Sequence, residues 1–310
     1  MLGGVLDVSG SPMSEIYLAD NLDFLEQTPD ASYSLIYIDP PFNTGIAQER
    51  TRIKTLQSAD GDRVGFGDRR YITTKIGTMS FSDAFDDYLA FLQPRLEHAR
   101  RVLTGGGSLY FHIDYREVHY CKVLLDSIFG RSCFLNEIIW AYDFGGKSKS
   151  KWPPKHDNIL VYVKDPNNYT FNVDSIERIP YMAPGLVGSS KAKQGKLPTD
   201  TWWHTIVPTN SSERTGYPTQ KPLGILRRIV LASSNAGERV FDFFAGSGTT
   251  GAACLETGRG FTLVDSNPDA LVVMAKRFAS ETCIAWHGFD PTPYQQEAKQ
   301  SRLFMPVDEK

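Results

Sequence analysis

Short apolar runs alternate with amphipathic segments along most of the chain, a pattern typical of a sheet whose strands are joined by helices. Strands are predicted where the apolar runs are short, and helices where apolar residues recur every three or four positions. The predicted strands span residues 16–18, 35–38, 108–113, 137–141, 158–163, 240–244 and 261–264. The predicted helices span residues 82–103, 222–234, 249–257 and 268–279, with another that follows residue 113 and ends near residue 128.

Three segments lack such a pattern. Residues 46–80 are mostly polar and contain several glycines, which predicts a long mobile loop of a kind that is uncommon unless it is functional or disordered. Residues 165–215 are rich in proline, glycine and serine, and they are predicted to form an inserted subdomain or an elaborate surface loop. The tail after Asp290 is predicted to be loosely held.

A glycine-rich turn joins the strand predicted at residues 240–244 to the helix that follows it. The turn has the sequence Ala245-Gly-Ser-Gly-Thr-Thr-Gly251, and Asp265 stands at the end of the next predicted strand. Glycines allow a backbone to approach a ligand closely, and an acid after the second strand can accept hydrogen bonds from ribose hydroxyls. The pattern leaves open a dinucleotide, an adenosine-containing sulfonium cofactor, or a turn without a ligand in which Asp265 caps a helix.

The position of this turn constrains the fold. Only 59 residues follow Gly251, which is too few to complete a doubly wound sheet, so the other strands must come from the chain before it. The predicted fold is therefore an α/β, Rossmann-like sheet in a permuted order, with the cofactor half at the C-terminal end. Such an order is unusual for dehydrogenases.

The sequence Asp39-Pro40-Pro41-Phe42 follows directly on the strand predicted at residues 35–38. Consecutive prolines fix the backbone, and ligands of open α/β sheets bind at the carboxyl ends of the strands. The motif therefore presents a carboxylate, the Pro40 carbonyl and an aromatic ring in one rigid cluster. Asp39 and Pro40 could accept both N–H bonds of an exocyclic amine and favour a pyramidal, nucleophilic nitrogen, while Phe42 stacks on the base. The alternative is a strand-ending turn with an incidental aspartate.

Taken together and in this order, Asp39-Pro-Pro-Phe42 and Phe241-Asp-Phe-Phe-Ala-Gly-Ser-Gly248 resemble the motifs of the β-class DNA amino-methyltransferases. Further matches are Ala19-Asp20-Asn21, Tyr217-Pro-Thr-Gln-Lys-Pro222 and Asp265-Ser-Asn-Pro268, so the resemblance covers residues 15–280. In that class the catalytic tetrapeptide precedes the cofactor loop, with target recognition between them. The resemblance implies a circularly permuted methyltransferase sheet with a catalytic half (1–164), a small inserted target-recognition region (165–215), a cofactor-binding half (216–290) and a tail (291–310).

The resemblance implies S-adenosylmethionine as the cofactor. The turn would cradle its methionine portion, Asp265 would hold its ribose, and Asp20 would approach its adenine. The residues implied to bind it are Asp20, Asp39, Lys221, Asp242, Phe243, Phe244, Ala245, Gly246, Ser247, Gly248, Thr249, Thr250 and Asp265. The residues implied to be catalytic are Asp39, Pro40, Pro41 and Phe42.

The implied reaction is methyl transfer to an amine of double-stranded DNA, with the target base flipped out of the helix. A tetrapeptide that begins with aspartate favours the N6 amine of adenine, because N4-cytosine enzymes more often begin with serine. N4-cytosine methylation, methylation of an RNA base, and a catalytically silent DNA-binding subunit are the alternatives. A nucleotide-dependent oxidoreductase is disfavoured by the permuted order. A homodimer and a companion restriction nuclease are left open as partners.

Composition limits the class of protein and the compartment in which it is expected. The chain has 310 residues, 41% hydrophobic and 22% charged, which is typical of a globular protein that can bury a full core. No apolar run approaches the roughly 20 residues that a membrane helix needs, and the N-terminus carries no basic signal region. The four cysteines form no CxxC pair, so a reduced, cytoplasmic protein without a membrane segment is expected.

The charge is unevenly distributed. Residues 145–216 hold eight lysines and two arginines against six acidic residues, a local charge of +4. Because the net charge of the whole chain is −3, the remaining residues carry a charge of −7. Lys147, Lys149 and Lys151 surround Trp152 with no acid among them, and Arg50 lies near the start of the predicted loop. These four basic residues are candidate contacts to DNA phosphates, and a plain solvated surface is the alternative.

No metal site is expected. His112, Asp114 and His119 are close in sequence, but they lie at a strand end and in the following helix without a nearby cysteine. A structural or surface role for them is favoured, since transfer of a methyl group from a sulfonium needs no metal.

Overall fold

The computed structural model describes residues 14–44, 48–57, 63–64, 70–81, 83 and 85–303, with the backbone alone for residues 48–81 and 301–303. Within these ranges the chain forms twelve strands and eight α-helices. In chain order they are β1 (Ser14–Leu18), α1 (Asn21–Gln27), β2 (Tyr33–Ile38), β3 (Gln48–Gln57), β4 (Arg63–Val64), β5 (Arg70–Phe81), α2 (Tyr88–Val102), β6 (Leu103–Ile113), α3 (Val118–Phe129), β7 (Phe134–Ala141), β8 (His156–Val163), α4 (Ser189–Gln194), β9 (Thr201–Trp203), α5 (Leu223–Ser233), β10 (Arg239–Asp242), α6 (Thr249–Thr257), β11 (Gly260–Asp265), α7 (Pro268–Arg277), β12 (Ile284–His287) and α8 (Thr292–Leu303).

Nine of the strands form one sheet, in the order β12-β1-β11-β10-β2-β6-β8-β7-β9. The six strands from β12 to β6 are parallel to one another, β8 runs antiparallel to both of its neighbours, and β9 is parallel to β7. The late strands β10 and β11 lie between the early strands β1 and β2. The predicted permuted α/β order is therefore confirmed.

Helices cover both faces of this sheet, which explains why its central strands are apolar throughout. All six residues of β2 are buried, and those from Leu35 to Ile38 alternate between two cores. Leu35 packs into the cluster that contains α5, α6 and α7, whereas Ile36 packs into the cluster that contains α1, α2 and α3. The two layers hold the carboxyl ends of β2 and β10 side by side.

The segment at residues 46–80 differs from the sequence prediction. Instead of a loop without regular structure, its described parts form a three-stranded antiparallel sheet in the order β3-β5-β4. Apolar residues are sparse here, so hydrophobic periodicity provided no signal, while the repeated threonines and isoleucines favour strands. This small sheet is inserted directly after the Asp39–Phe42 motif.

Two further predictions were wrong, one about the C-terminal tail and one about the start of helix α2. The tail is not loose along its whole length, because α8 packs on α7 and Lys276 Nζ lies 2.7 Å from Glu297 Oε2. Helix α2 begins at Tyr88 instead of residue 82, because its cap is Asp87, whose carboxylate accepts the N–H of Ala90 at 2.9 Å.

The segment at residues 165–215 contains one short helix, α4, and contributes β9 to the edge of the main sheet. It is therefore attached to the sheet through the pairing of β9 with β7. None of the described helices is both long and apolar enough to cross a membrane.

Candidate active site at the carboxyl edge of the sheet

A cavity of about 500 Å³ lies at the carboxyl ends of β1, β2, β10 and β11. The structure brings to its wall every residue predicted to be catalytic or to bind the cofactor, except Gly248. These wall residues are Asp20, Asp39, Pro40, Pro41, Phe42, Lys221, Asp242, Phe243, Phe244, Ala245, Gly246, Ser247, Thr249, Thr250 and Asp265. Among the described residues, no cluster of histidine, cysteine and acidic side chains is arranged to hold a metal ion.

Asp39 and Lys221 form a buried ion pair in the cavity wall. The Lys221 ammonium contacts Asp39 Oδ2, and the two side chains are only 14% (Asp39) and 11% (Lys221) exposed. The other oxygen, Asp39 Oδ1, is buried and has no hydrogen-bond partner among the described residues. A buried carboxylate oxygen without a donor is costly, so the ion pair with Lys221 offsets only part of the cost of placing this carboxylate in the wall.

The rest of the tetrapeptide is held from two sides. Tyr88 of α2 donates its hydroxyl to the Pro41 carbonyl at 2.6 Å, which anchors the rigid turn to a helix. The Phe42 ring lies in the wall, with its centroid 5.0 Å from Lys221 Nζ and 5.8 Å from the His112 ring. Asn43 has a left-handed backbone (φ 52°) and donates its amide to Glu117 at 2.9 Å. The motif is therefore fixed before any ligand arrives.

The glycine-rich turn is tied to the next strand by Asp265. Its Oδ2 accepts the N–H of Gly246 at 2.8 Å, and its Oδ1 accepts the N–H of Asn267 at 2.9 Å. Asn267 caps α7, so Asp265 itself is not the cap residue. Each carboxylate oxygen has a second lone pair, so Asp265 can hold the turn and still accept from a ligand in the cavity.

Asp242 supports the same turn from inside the core. Its Oδ1 accepts the N–H of Phe244 at 3.0 Å and its Oδ2 accepts the Thr250 hydroxyl at 2.5 Å. Burial raises the pKa of Asp242 to about 7. The two hydrogen bonds lower the pKa, but the effect of burial is larger.

This raised pKa predicts a specific pH dependence of stability. Between 3.8, the ordinary pKa of aspartate, and about 7, the folded chain keeps a proton on Asp242 that the unfolded chain has lost. The stabilisation is therefore complete below the unfolded value and is lost as the pH rises through about 7, by on the order of 4 kcal/mol. Urea unfolding between pH 4 and 8 should show this loss in the wild type and not in Asp242→Asn, whose amide oxygen can accept the Phe244 N–H while its amide nitrogen donates to the Thr250 hydroxyl. Parallel curves for the two proteins would contradict the assignment.

Gly248 is the exception among the predicted cofactor residues. It adopts a left-handed backbone (φ 72°) as the N-cap of α6, and a Cβ atom there would lie 2.8 Å from Met274 Cγ and 3.0 Å from Phe278 Cε2. A side chain at this position would enter the core and not the cofactor space. Gly248 does not line the cavity, so its contact with the cofactor stays a prediction that only its backbone could fulfil.

One end of the cavity includes residues that sequence reasoning did not assign. Asp20 caps α1 by accepting the N–H of Leu22 at 2.7 Å, and the unassigned Asn21 donates to the Phe243 carbonyl at 2.8 Å. Arg95 of α2 donates to Asn21 Oδ1 at 2.6 Å and stacks 3.9 Å from the centre of the Phe91 ring. Arg95 sits on a helix face with ordinary amphipathic spacing, so no sequence pattern distinguishes it.

Three of the four predicted DNA contacts lie outside the cavity. Lys147, Lys149 and Lys151 are exposed on the segment between β7 and β8, beside Trp152, whose side chain is 95% exposed. Arg50 falls on β3, where only the backbone is described. The three lysines therefore do not line the cavity.

The fold and the cavity define a class of enzyme that binds a nucleoside-containing cofactor at the carboxyl edge of a permuted α/β sheet, beside a rigid acidic tetrapeptide. A family model described as DNA methylase, of the N6/N4 methyltransferase type, matches residues 33–276. The chain belongs to this family of N6-adenine and N4-cytosine DNA methyltransferases, which confirms the resemblance recognised in its sequence. S-adenosylmethionine is the cofactor of the family.

Two curated relatives match most of this chain. The type II methyltransferase M.HpaI of Haemophilus parainfluenzae is 30% identical over 284 residues, covering 91% of this chain and 78% of its own. The DNA adenine methyltransferase YhdJ of Escherichia coli (strain K12) is 30% identical over 281 residues, covering 86% of this chain and 83% of its own.

Solved structures share the fold at lower identity. The cytosine-N4-specific PvuII DNA methyltransferase is 14% identical, with a TM-score of 0.60 and 94% of each chain covered. The Thermus thermophilus protein TTHA0409, solved in complex with S-adenosyl-L-methionine, is 20% identical, with a TM-score of 0.53. The match covers 89% of this chain and 100% of the TTHA0409 chain.

Proposed function

We propose that the chain transfers a methyl group from S-adenosylmethionine to the N6 amine of a flipped adenine in DNA. The observation that carries this proposal is the position of Asp39. Its carboxylate stands at the end of β2, beside the glycine-rich turn that follows the neighbouring strand β10, and both line one cavity. A hydrogen-bond acceptor for an amine and a binding turn for the methyl donor are therefore adjacent.

The cavity is suited to the cofactor. Its volume of about 500 Å³ falls within the range of roughly 300–1,000 Å³ that is usual for small-molecule sites. We assign Asp265 to the ribose hydroxyls, the turn from Asp242 to Ser247 to the methionine portion, and Asp20 to the adenine end. When bound, the cofactor supplies an electrophilic methyl group on a sulfonium. Acidic side chains in the wall, Asp39 among them, favour the positive charge of that sulfonium.

Asp39 and its neighbours would activate the acceptor amine. The Asp39 carboxylate, which lines the cavity, would accept one N–H of the amine. The carbonyl of Pro40 would accept the other N–H, which favours a pyramidal nitrogen with its lone pair directed at the methyl group. Phe42 would stack on the base and hold it in line.

Two observations favour adenine over cytosine as the target base. The tetrapeptide begins with Asp39, which is more usual in enzymes of this family that act on adenine. One relative at 30% identity, YhdJ, is described as a DNA adenine methyltransferase. N4-cytosine methylation is the second candidate, since cytosine presents the same kind of amine to Asp39 and the PvuII enzyme shares the fold.

The proposal is tested by sequencing that resolves modified bases in DNA from cells that express the chain. We expect N6-methyladenine within one short sequence, and none in cells that express Asp39→Asn. N4-methylcytosine at the site would replace the adenine assignment by the second candidate, and unmodified DNA would overturn both.

A paired base cannot reach Asp39, because the amine would have to enter a rigid cavity at the edge of a sheet. The base must therefore leave the stack, at a cost of a few kcal/mol that is smaller for a mismatched base. Once sequencing has given the site, a duplex with a mismatch opposite the target should bind more tightly than the paired duplex. Equal binding of the two duplexes, with the target base still stacked by crosslinking, would exclude flipping.

We further propose that Lys147, Lys149 and Lys151 contact DNA phosphates. Replacing all three by glutamine should weaken DNA binding and reduce the slope of log affinity against log salt by about 0.9 for each lost contact. Replacing all three by arginine keeps the charge and should keep the slope. Site preference should persist in both variants, since phosphate contacts position the protein without reading bases. A slope that does not change with glutamine would show that these lysines are only solvated.

A further inference from the structure

A buried arginine reaches the end of the cavity that is assigned to the adenine of the cofactor. Arg95 of α2 lines the cavity, and its side chain is only 9% exposed. Its Nε donates to Asn21 Oδ1 at 2.6 Å, its Nη1 donates to the Phe91 carbonyl at 2.7 Å, and its guanidinium lies 3.9 Å from the centre of the Phe91 ring. These contacts come from two helices, α1 and α2, and they fix the plane of the guanidinium before any ligand arrives.

The third nitrogen of Arg95 is not used within the described part of the chain. Nη2 makes no hydrogen bond there, and Asp20 Oδ1 lies 3.7 Å from it, which is beyond hydrogen-bond distance. Nη2 also keeps some accessible surface, unlike the enclosed Asp39 Oδ1. A guanidinium has donors and no acceptor, so a ligand in the cavity meets Nη2 as a fixed N–H donor.

A hydrogen-bond acceptor stands beside this donor. Asp20 Oδ1 accepts the N–H of Leu22 at 2.7 Å, whereas Asp20 Oδ2 accepts no hydrogen bond from the described residues, and the side chain is 50% exposed. Arg95 also orients the next residue. Because the guanidinium only donates, Asn21 presents Oδ1 to it, and Asn21 Nδ2 therefore donates to the Phe243 carbonyl at 2.8 Å. The acceptor and the donor are thus held side by side at one end of the cavity.

The wall around this pair is aromatic. Phe85, Phe91 and Phe244 line the cavity, with ring centroids 4.6 Å apart for Phe85 and Phe91 and 6.2 Å apart for Phe91 and Phe244. An apolar, aromatic wall with a few fixed polar groups suits a flat heterocycle. Adenine presents an amine donor next to a ring-nitrogen acceptor, which is N1 on one side of the amine and N7 on the other. That order of donor and acceptor is the complement of Asp20 and Arg95.

We propose that Arg95 selects the cofactor by its adenine: Nη2 donates to a ring nitrogen beside the amine, while Asp20 Oδ2 accepts from the amine. The inference rests on the proposed function, which places the adenine at the Asp20 end, and it adds a residue that determines selectivity for this base. Arg95 makes no described contact with Asp39, so it sets the affinity for the cofactor without entering the methyl-transfer step.

The test is calorimetry of S-adenosylhomocysteine, the demethylated form of the cofactor, and of its 1-deaza and 7-deaza analogues, in which N1 or N7 is replaced by C–H. The wild type should bind one of the two analogues about 10- to 100-fold more weakly than the parent compound, because a hydrogen bond to a charged group is lost. In Arg95→Met this preference should disappear, since the donor is absent for all three ligands. A merely structural role for Arg95 would weaken all three ligands equally and leave the preference unchanged.

Arg101→Met is the matched control. Arg101 also lies on α2 and also holds the α1 region, because it donates to the Leu25 carbonyl at 2.6 Å and to the Thr28 carbonyl at 2.7 Å, but it does not line the cavity. This variant should lose stability and keep the wild-type preference among the three ligands.

A second variant keeps the inference falsifiable if Arg95→Met does not fold. Arg95→Lys retains the positive charge but lacks the planar fork that serves Asn21 and the ligand at once, so the preference should shrink in it as well. A wild type that binds all three ligands equally, or a folded Arg95 variant that keeps the full preference, overturns the inference. A wild-type chain that binds none of the three ligands would instead contradict the proposed function.

Discussion

Replacing Asp39 by asparagine should lower the rate of methyl transfer by at least about 10²–10³-fold, while the affinity for S-adenosylmethionine stays near that of the wild type. An asparagine can still accept one hydrogen bond from Lys221, but it cannot supply a carboxylate oxygen to the amine or take its proton. The loss belongs to the chemical step, because the interaction is strongest where positive charge develops on the amine. Single-turnover kinetics and calorimetry of cofactor binding measure the two quantities separately.

The alanine variant needs a second change to be interpretable. Asp39→Ala would leave the Lys221 ammonium in a wall where it is only 11% exposed, and breaking a buried pair in this way costs about 3–5 kcal/mol. The double variant Asp39→Ala/Lys221→Met removes both charges and should recover most of this stability without recovering activity. Turnover near the wild-type level in folded Asp39→Asn would overturn the role given to this residue.

Replacing Gly248 by valine should strongly destabilise the fold. A Cβ atom there would lie 2.8 Å from Met274 Cγ, and overpacking of this kind typically costs about 1–3 kcal/mol. The left-handed backbone at φ 72° adds about 1–2 kcal/mol for a residue with a side chain. Urea unfolding measures the sum, and cofactor affinity should fall only because the turn before α6 is displaced.

Gly258 provides a matched control for the backbone contribution. It ends α6 with nearly the same conformation (φ 70°), but a Cβ atom there meets nothing within 4 Å. Gly258→Ala should therefore lose only the backbone contribution, whereas Gly248→Ala should lose more stability through its contact with α7. Equal losses in the two alanine variants would contradict the packing argument.

The central sheet was predictable because its signals are local. The buried run from Leu35 to Ile38 and the helix Thr249–Thr257 follow from apolar patterning and the glycine-rich turn alone. The small sheet formed by β3, β4 and β5 was not predictable in this way, because polar strands held by backbone pairing carry no apolar alternation. Helix α8 was missed for a similar reason, since its sequence is polar.

The sequence predicted which residues lie at the site, but not which of them contact one another. Order along the chain indicated that Asp39 and the turn at Gly246 share one edge of the sheet. No spacing in the sequence links Lys221 to Asp39, which are 182 residues apart, or His112 to Asp157, which are 45 apart. The first pair depends on how the segment before α5 lies against the end of β2, and the second on how β6 pairs with β8, so only the folded chain brings them together. Asp242 likewise supports the turn from the core, which its motif position does not distinguish from cofactor contact.

Methylation of an exocyclic amine of DNA in this cavity can be measured on the DNA itself, by mass analysis of its nucleosides. Purified chain is incubated with unmethylated genomic DNA and S-adenosylmethionine that carries a deuterated methyl group, and the DNA is digested to nucleosides for mass analysis. We expect deuterated N6-methyladenine from the wild type and none from Asp39→Asn. A folded wild-type chain that binds the cofactor but labels no nucleoside, or an Asp39→Asn variant that labels as well as the wild type, would contradict it.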